Sequence, residues 1–162
     1  MPRAGQRLLS TDFPAAAHDV HQGTFEVSAT GEWGAEDSVS SGDYIDCGTS
    51  FIAPTSGAVV IHFHAELNKA GDGGSTIRMC PEVREGGSVG QGPVVASANI
   101  NDGLSCMAGD SSSDSPNSGR SGFMVVTGLT PGRVYNTRMM HRVSSGTNGI
   151  VRVRSILVQG LT

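Results

Sequence analysis

His62 and His64 stand two residues apart in a stretch of alternating polarity, so both imidazoles leave the same strand face, as a metal-binding pair would. His141, in a second such stretch, is placed to approach from a neighbouring strand. A zinc centre takes three or four ligands with orienting partners behind them. No cluster of acids and histidines at suitable spacing completes one here. The pair therefore reads as a polar strand face, in water or at a subunit interface, where histidine titration would make assembly sensitive to pH. Asp102, Asp110, Asp114 and Asn117 offer the oxygens calcium draws from a flexible loop, but the D-x-D-x-D-G rhythm is absent. Gly119-Arg120-Ser121-Gly122 lacks the strand-to-helix turn that a phosphate loop or a nucleophile elbow needs. Carboxylate pairs without a cleft do not make a glycosidase. Cys47, Cys80 and Cys106 show no C-x-x-C spacing and read as small apolar fillers from a reducing compartment. The expectation is a protein without enzymatic activity, metal or cofactor.

The elements that carry these residues are strands. Over 58–67, Val59, Ile61, Phe63, Ala65 and Leu67 alternate with Ala58, Val60, His62, His64 and Glu66, the period of a strand with one buried side. Over 75–84, Ile77, Met79 and Val83 point in, with Arg78, Glu82 and Arg84 out. Over 133–143, Tyr135, Met139 and Val143 oppose Asn136, Arg138 and Arg142. Over 150–158, Val151, Val153 and Leu157 oppose Arg152 and Arg154. Weaker strands are expected at 24–29, 44–47, 50–53, 94–98 and 123–127, with a long Ser/Gly/Asp-rich connection over 101–122. Residues 1–22 show no periodicity and read as an extended N-terminal arm, leaving 23–162 as one domain.

Composition agrees with this. The chain has 162 residues, 16% of them charged, and 23 glycines without a G-X-Y period, which excludes collagen and disfavours long helices. Many short strands between turn signals predict an all-β fold, an antiparallel β-sandwich. The net charge of -4 argues against nucleic acid as a partner. Its distribution is lopsided, with no basic residue between Arg7 and Lys69 and no acid after Asp114. Either the first and last strands lie side by side and pair their charges, or acidic and basic faces meet between subunits. Arg138, Arg142, Arg152 and Arg154 form a basic stripe if their strands adjoin, but without the aromatic residues that stack on bases. The start of the chain lacks an apolar signal core and no stretch approaches a membrane span, so neither export nor a membrane location is expected.

Two motifs sharpen the fold. Leu129-Thr130-Pro131-Gly132-Arg133-Val134-Tyr135 resembles the corner of fibronectin-type sandwiches, where Leu129 plugs the core, Pro131 shapes the turn and the Tyr135 hydroxyl bonds back to the corner's backbone. Phe51-Ile52-Ala53-Pro54-Thr55-Ser56-Gly57, followed by Val60-Ile61-His62-Phe63-His64, resembles the entry to the central strand in jelly-roll heads of the complement and tumour-necrosis-factor superfamily. Together with Met1-Pro2-Arg3-Ala4-Gly5-Gln6-Arg7, Pro81-Glu82-Val83-Arg84 and Met140-His141-Arg142, the set is similar to small capsid-surface or tail proteins of phages infecting actinobacteria.

That resemblance implies a jelly roll, a homotrimer and a place on a virion assembled in the host cytoplasm, docked on major capsid or tail proteins. The expected function is capsid decoration. The alternatives are a minor tail protein, or a host-binding head that recognises a surface glycan through 101–122, with Trp33 as its aromatic platform. The residues expected at interfaces are Arg3, Arg7, Phe13, Glu32, Trp33, His62, His64, Arg138, Arg142, Arg152 and Arg154.

Overall fold

A computed structural model describes residues 17–21, 25–27, 33–34, 47–69, 76–107, 118–143 and 149–162. Ten strands are described: β1 (Ala17–His21), β2 (Phe25–Val27), β3 (Gly48–Ile52), β4 (Val59–Lys69), β5 (Thr76–Glu85), β6 (Val94–Ala96), β7 (Leu104–Met107), β8 (Ser118–Val126), β9 (Val134–Val143) and β10 (Gly149–Gly160). They form two antiparallel sheets. The front sheet runs β1-β10-β4-β8, with β2 beside the start of β10, and the back sheet runs β3-β9-β5-β6, with β7 beside the start of β5. β1 and β2 together act as one broken edge strand, and so do β6 and β7. Counted that way, the first, eighth, third and sixth strands alternate between sheets with the second, seventh, fourth and fifth. This is the double Greek key of a jelly roll. The back edge breaks between Met79 and Val83, around Pro81, which has no N–H to give to a ladder.

The core lies between the sheets. Val59, Ile61, Phe63, Ala65 and Leu67 of β4 all point into it, as their alternation requires. Opposite them stand Ile77, Met79 and Val83 of β5 and Tyr135, Met139 and Val143 of β9. Each large aliphatic side chain removed from water there contributes about 1.5–3 kcal/mol. Cys47 and Cys80 are fully buried, in keeping with thiols used as filler; the side chain of Cys106 lies outside the described residues.

The lower end of the sandwich is laced by two turns. Ala53 N–H donates to Arg133 O (2.9 Å) and Ala53 O accepts from Gly132 N–H (3.0 Å), while Leu129 N–H donates to Gly57 O (3.0 Å). The Tyr135 hydroxyl accepts the Thr130 N–H at 3.0 Å, its ring stacks on Phe51, and Leu129 is buried beneath while Pro131 stays in water. The corner expected from 129–135 is therefore present.

Four features depart from the sequence expectations. Residues 17–21 of the stretch read as an arm form β1, hydrogen-bonded along β10 from Arg154 to Val158, while 1–16 lie outside the described residues. The long connection over 101–122 contains β7 and the first residues of β8. The pairing of β10 with β4 shifts between Val151 and Arg154, a bulge that reverses the alternation. Beyond it Arg154, Ile156 and Val158 point inward and Leu157 points out, the opposite of the expected phase. Glu82 faces outward on β5 as expected, yet it is buried, because residues 86–103 fold across the back sheet. Asn136 fastens that segment by accepting the Gly90 N–H and donating to Gly86 O and Gln91 O.

Candidate functional site

The histidine pair stands on the outer face of the front sheet. β4 sends His62, His64, Val60 and Glu66 outward, and the register sets the neighbours on either side. His18, Leu157, His62 and Phe123 lie opposite one another in a single row across β1, β10, β4 and β8. The next row reads Val20, Ser155, His64, Ser121, and on the other side Gln159, Val60 and Val125 are aligned. Phe123 is 65% exposed, Val20 53%, Val125 51% and Leu157 37%. Contiguous exposed apolar side chains of this size mark interaction surfaces.

The local sequence explains why this face differs from an ordinary solvated one. A sheet with one wet side alternates apolar and polar residues, whereas a strand covered on both sides is apolar throughout. Phe123-Met124-Val125-Val126 is apolar throughout, and so are Val59-Val60-Ile61 and Ile156-Leu157-Val158. One member of each run fills the core while the next stands on the outer face, so three adjacent strands carry a second apolar surface at the same level.

The polar groups set into it are few. His64 Nδ1 lies 3.0 Å from Ser121 Oγ, which fixes the ring beside Gly119. His62 is exposed. Glu66 is the one carboxylate among the outward side chains described on β1, β4, β8 and β10.

The other expected residues are scattered. β9 and β10 belong to different sheets, so Arg138 and Arg142 do not form a stripe with Arg152 and Arg154. Arg138 lies on the back sheet, its Nε 3.3 Å from Glu82 Oε1, and Arg84 Nε approaches the same oxygen at 2.6 Å. Arg142 is half-buried on the same strand. Arg152 is exposed in the bulge. Arg154 is fully buried, turned into the core by that bulge, which removes it from any surface of the folded chain. His141 is also buried, in the back sheet, and cannot join His62 and His64 on the front sheet's outer face. Among the described residues no group of three or more His, Cys, Asp or Glu is placed to hold a metal ion. Trp33 packs half-buried against the core, beside the Gly34–His141 bridge, so its ring is not a free-standing platform. Arg3, Arg7, Phe13 and Glu32 lie outside the described residues.

Phe123, Val125, Leu157 and His18 are among the members of this face that sequence reasoning left out. The unbroken apolar run at 123–126 was the available signal for the first two. No local signal marked the others, since one is set by a bulge and one by pairing with a distant strand.

No protein-family model matches the sequence, and no curated protein matches it. Solved structures share its outline at low identity. Eiger TNF from S. frugiperda is 14% identical, with 92% of this chain and 94% of that chain covered and a TM-score of 0.42. The CBM22-1-GH10 modules of endo-1,4-beta-D-xylanase 10B from Clostridium thermocellum, complexed with xylohexaose, are 12% identical, covering 90% of this chain and 28% of that one at a TM-score of 0.40. The enzymatically active domain of tailspike protein 4 from bacteriophage CBA120 is 15% identical, covering 91% of this chain and 19% of that one at a TM-score of 0.32.

Proposed function

We propose that this chain is a non-enzymatic bacteriophage virion protein, a capsid decoration protein that docks on the assembled particle as a homotrimer closed through the outer face of its front sheet. The observation that carries this reading is the apolar outer surface of β4, β8 and β10, centred on Phe123, Val125 and Leu157. Covering it removes apolar area from water at about 25 cal/mol per Å². The occupant is further copies of this chain, because a face with a single carboxylate can converge with the same face of two other copies around a threefold axis without like-charge repulsion. The resemblance of the motif set to that of phage surface proteins supports the virion, and repeated weak contacts on a lattice gain strength through multivalency.

Phe123→Asp places a charge at the centre of the face while leaving the core residue Met124 untouched. Sedimentation equilibrium should give three chain masses for the parent protein and one for the variant, with unchanged circular dichroism. Purified parent protein should bind mature shells that lack it, and the variant should not. A parent protein that sediments as a monomer overturns the trimer. Adsorption to host cells in place of shells overturns decoration in favour of a host-binding head.

A further inference from the structure

We infer that the cross-strand row of His18 and His62 makes self-association of this face a pH-controlled step, closed at neutral pH and opened by mild acid. The inference rests on the trimer proposed above and concerns its regulation. Each of the two rings is opposite an apolar neighbour in the register: Leu157 lies between His18 and His62, and Phe123 is on the far side of His62. When a second copy covers the row, both rings lose water and gain apolar surroundings. A neutral imidazole tolerates this and an imidazolium does not.

The surrounding groups offer little compensation. Val20 on β1, Ser155, Leu157 and Gln159 on β10, and Ser121, Phe123 and Val125 on β8 carry no charge. Glu66 is four residues along β4 from His62 and closer to His64, whose Nδ1 is already engaged by Ser121. Arg120 is exposed near the start of β8, opposite Ala65 and so out of step with the outward residues Ser121 and Phe123, and Arg152 lies in the bulge of β10. His64, held by a hydroxyl and nearer the carboxylate, is the lesser contributor.

An imidazole in water titrates near pH 6.5. An ordinary imidazole that must stay neutral weakens association about tenfold between pH 7.5 and 5.5, and two such groups weaken it about a hundredfold. The sign follows from proton linkage, since the separated copies bind more protons and acid therefore favours them.

The test is sedimentation of the full chain from pH 8 to pH 5, for the parent protein, His18→Gln, His62→Gln and the double variant, with circular dichroism at each pH to confirm folding. The parent protein should dissociate as the pH falls from 8 to 5, each single variant should lose about half of the logarithmic response, and the double variant should stay assembled. A double variant that dissociates as readily as the parent, or a parent that stays assembled at pH 5, overturns the switch. Phe123→Asp at pH 8 separates the two ideas: if it is monomeric while the parent ignores acid, the interface stands and the switch falls. If the parent is monomeric throughout, the interface itself fails.

Discussion

Cys80 shows how far burial can carry a single side chain from its ordinary chemistry. It sits on the outward side of β5, yet residues 86–103 close over it and leave it fully buried. Burial pushes its thiol up from 9.0 to about 11; the Asn99 N–H, donated to Sγ at 3.4 Å, pulls it back, and the Asp102 carboxylate adds to the rise. The unfolded thiol loses its proton first as the solution becomes alkaline. Stability from this group is intact below pH 9 and is lost as the pH rises through about 11. Denaturant midpoints should therefore fall more steeply between pH 9 and 11 for the parent protein than for Cys80→Ala. Equal slopes would show that the buried thiol does not matter. The sequence placed Cys80 as apolar filler, which burial bears out, but nothing local revealed that a segment some twenty residues later would seal it. Glu82 teaches the same lesson: its outward phase was legible, while its burial between Arg84 and Arg138 depends on that covering segment.

Elements were legible where pairing is regular and misread where it is not. The ladder of β4 runs without interruption against β8, and each inward residue named from alternation is inward. In β10 the alternation held only up to the bulge after Val151. A bulge arises from the partner strand's register, which the strand's own residues do not encode. Turn chemistry was the more dependable guide, as the joined turns at 53–57 and 128–133 show. Gly57 has φ of 66° there, and a Cβ on it would lie 2.5 Å from Leu129 O, the residue whose N–H it binds. Gly128, with φ of 78°, has nothing within 4 Å of such a Cβ. Both alanine substitutions incur left-handed backbone strain of about 1–3 kcal/mol, but only Gly57→Ala also forces the two turns apart. Urea unfolding should show Gly57→Ala destabilised by at least about 1 kcal/mol more than Gly128→Ala, the value of one lost hydrogen bond. Matching losses would mean that the contact between the turns holds nothing together.

At the scale of the molecule, the jelly roll closes its front sheet by laying the first strand against the last. The lopsided charge distribution pointed to that neighbourhood, and β1 and β2 do run beside β10. What the sequence could not convey is that this edge belongs to the chain's folding unit as well as to its expected arm. β1 pairs with β10 over five residues, Ala17 packs against the core, and Asp19 Oδ2 accepts the Gly48 N–H at 3.0 Å, tying the front sheet to the first residue of β3 in the back sheet. Removing β1 would strip these bonds and leave β10 from Arg154 to Val158 as an open edge, the arrangement that invites strand addition from another chain. Two truncations isolate the effect. Deleting 1–21 should cost about 3 kcal/mol more than deleting 1–16, from a few backbone hydrogen bonds at about 1 kcal/mol each, and should add concentration-dependent aggregation seen by light scattering. If both truncations unfold at the same urea concentration and remain equally dispersed, β1 is not part of the structural unit, and the sheet that bears the proposed interface ends at β10.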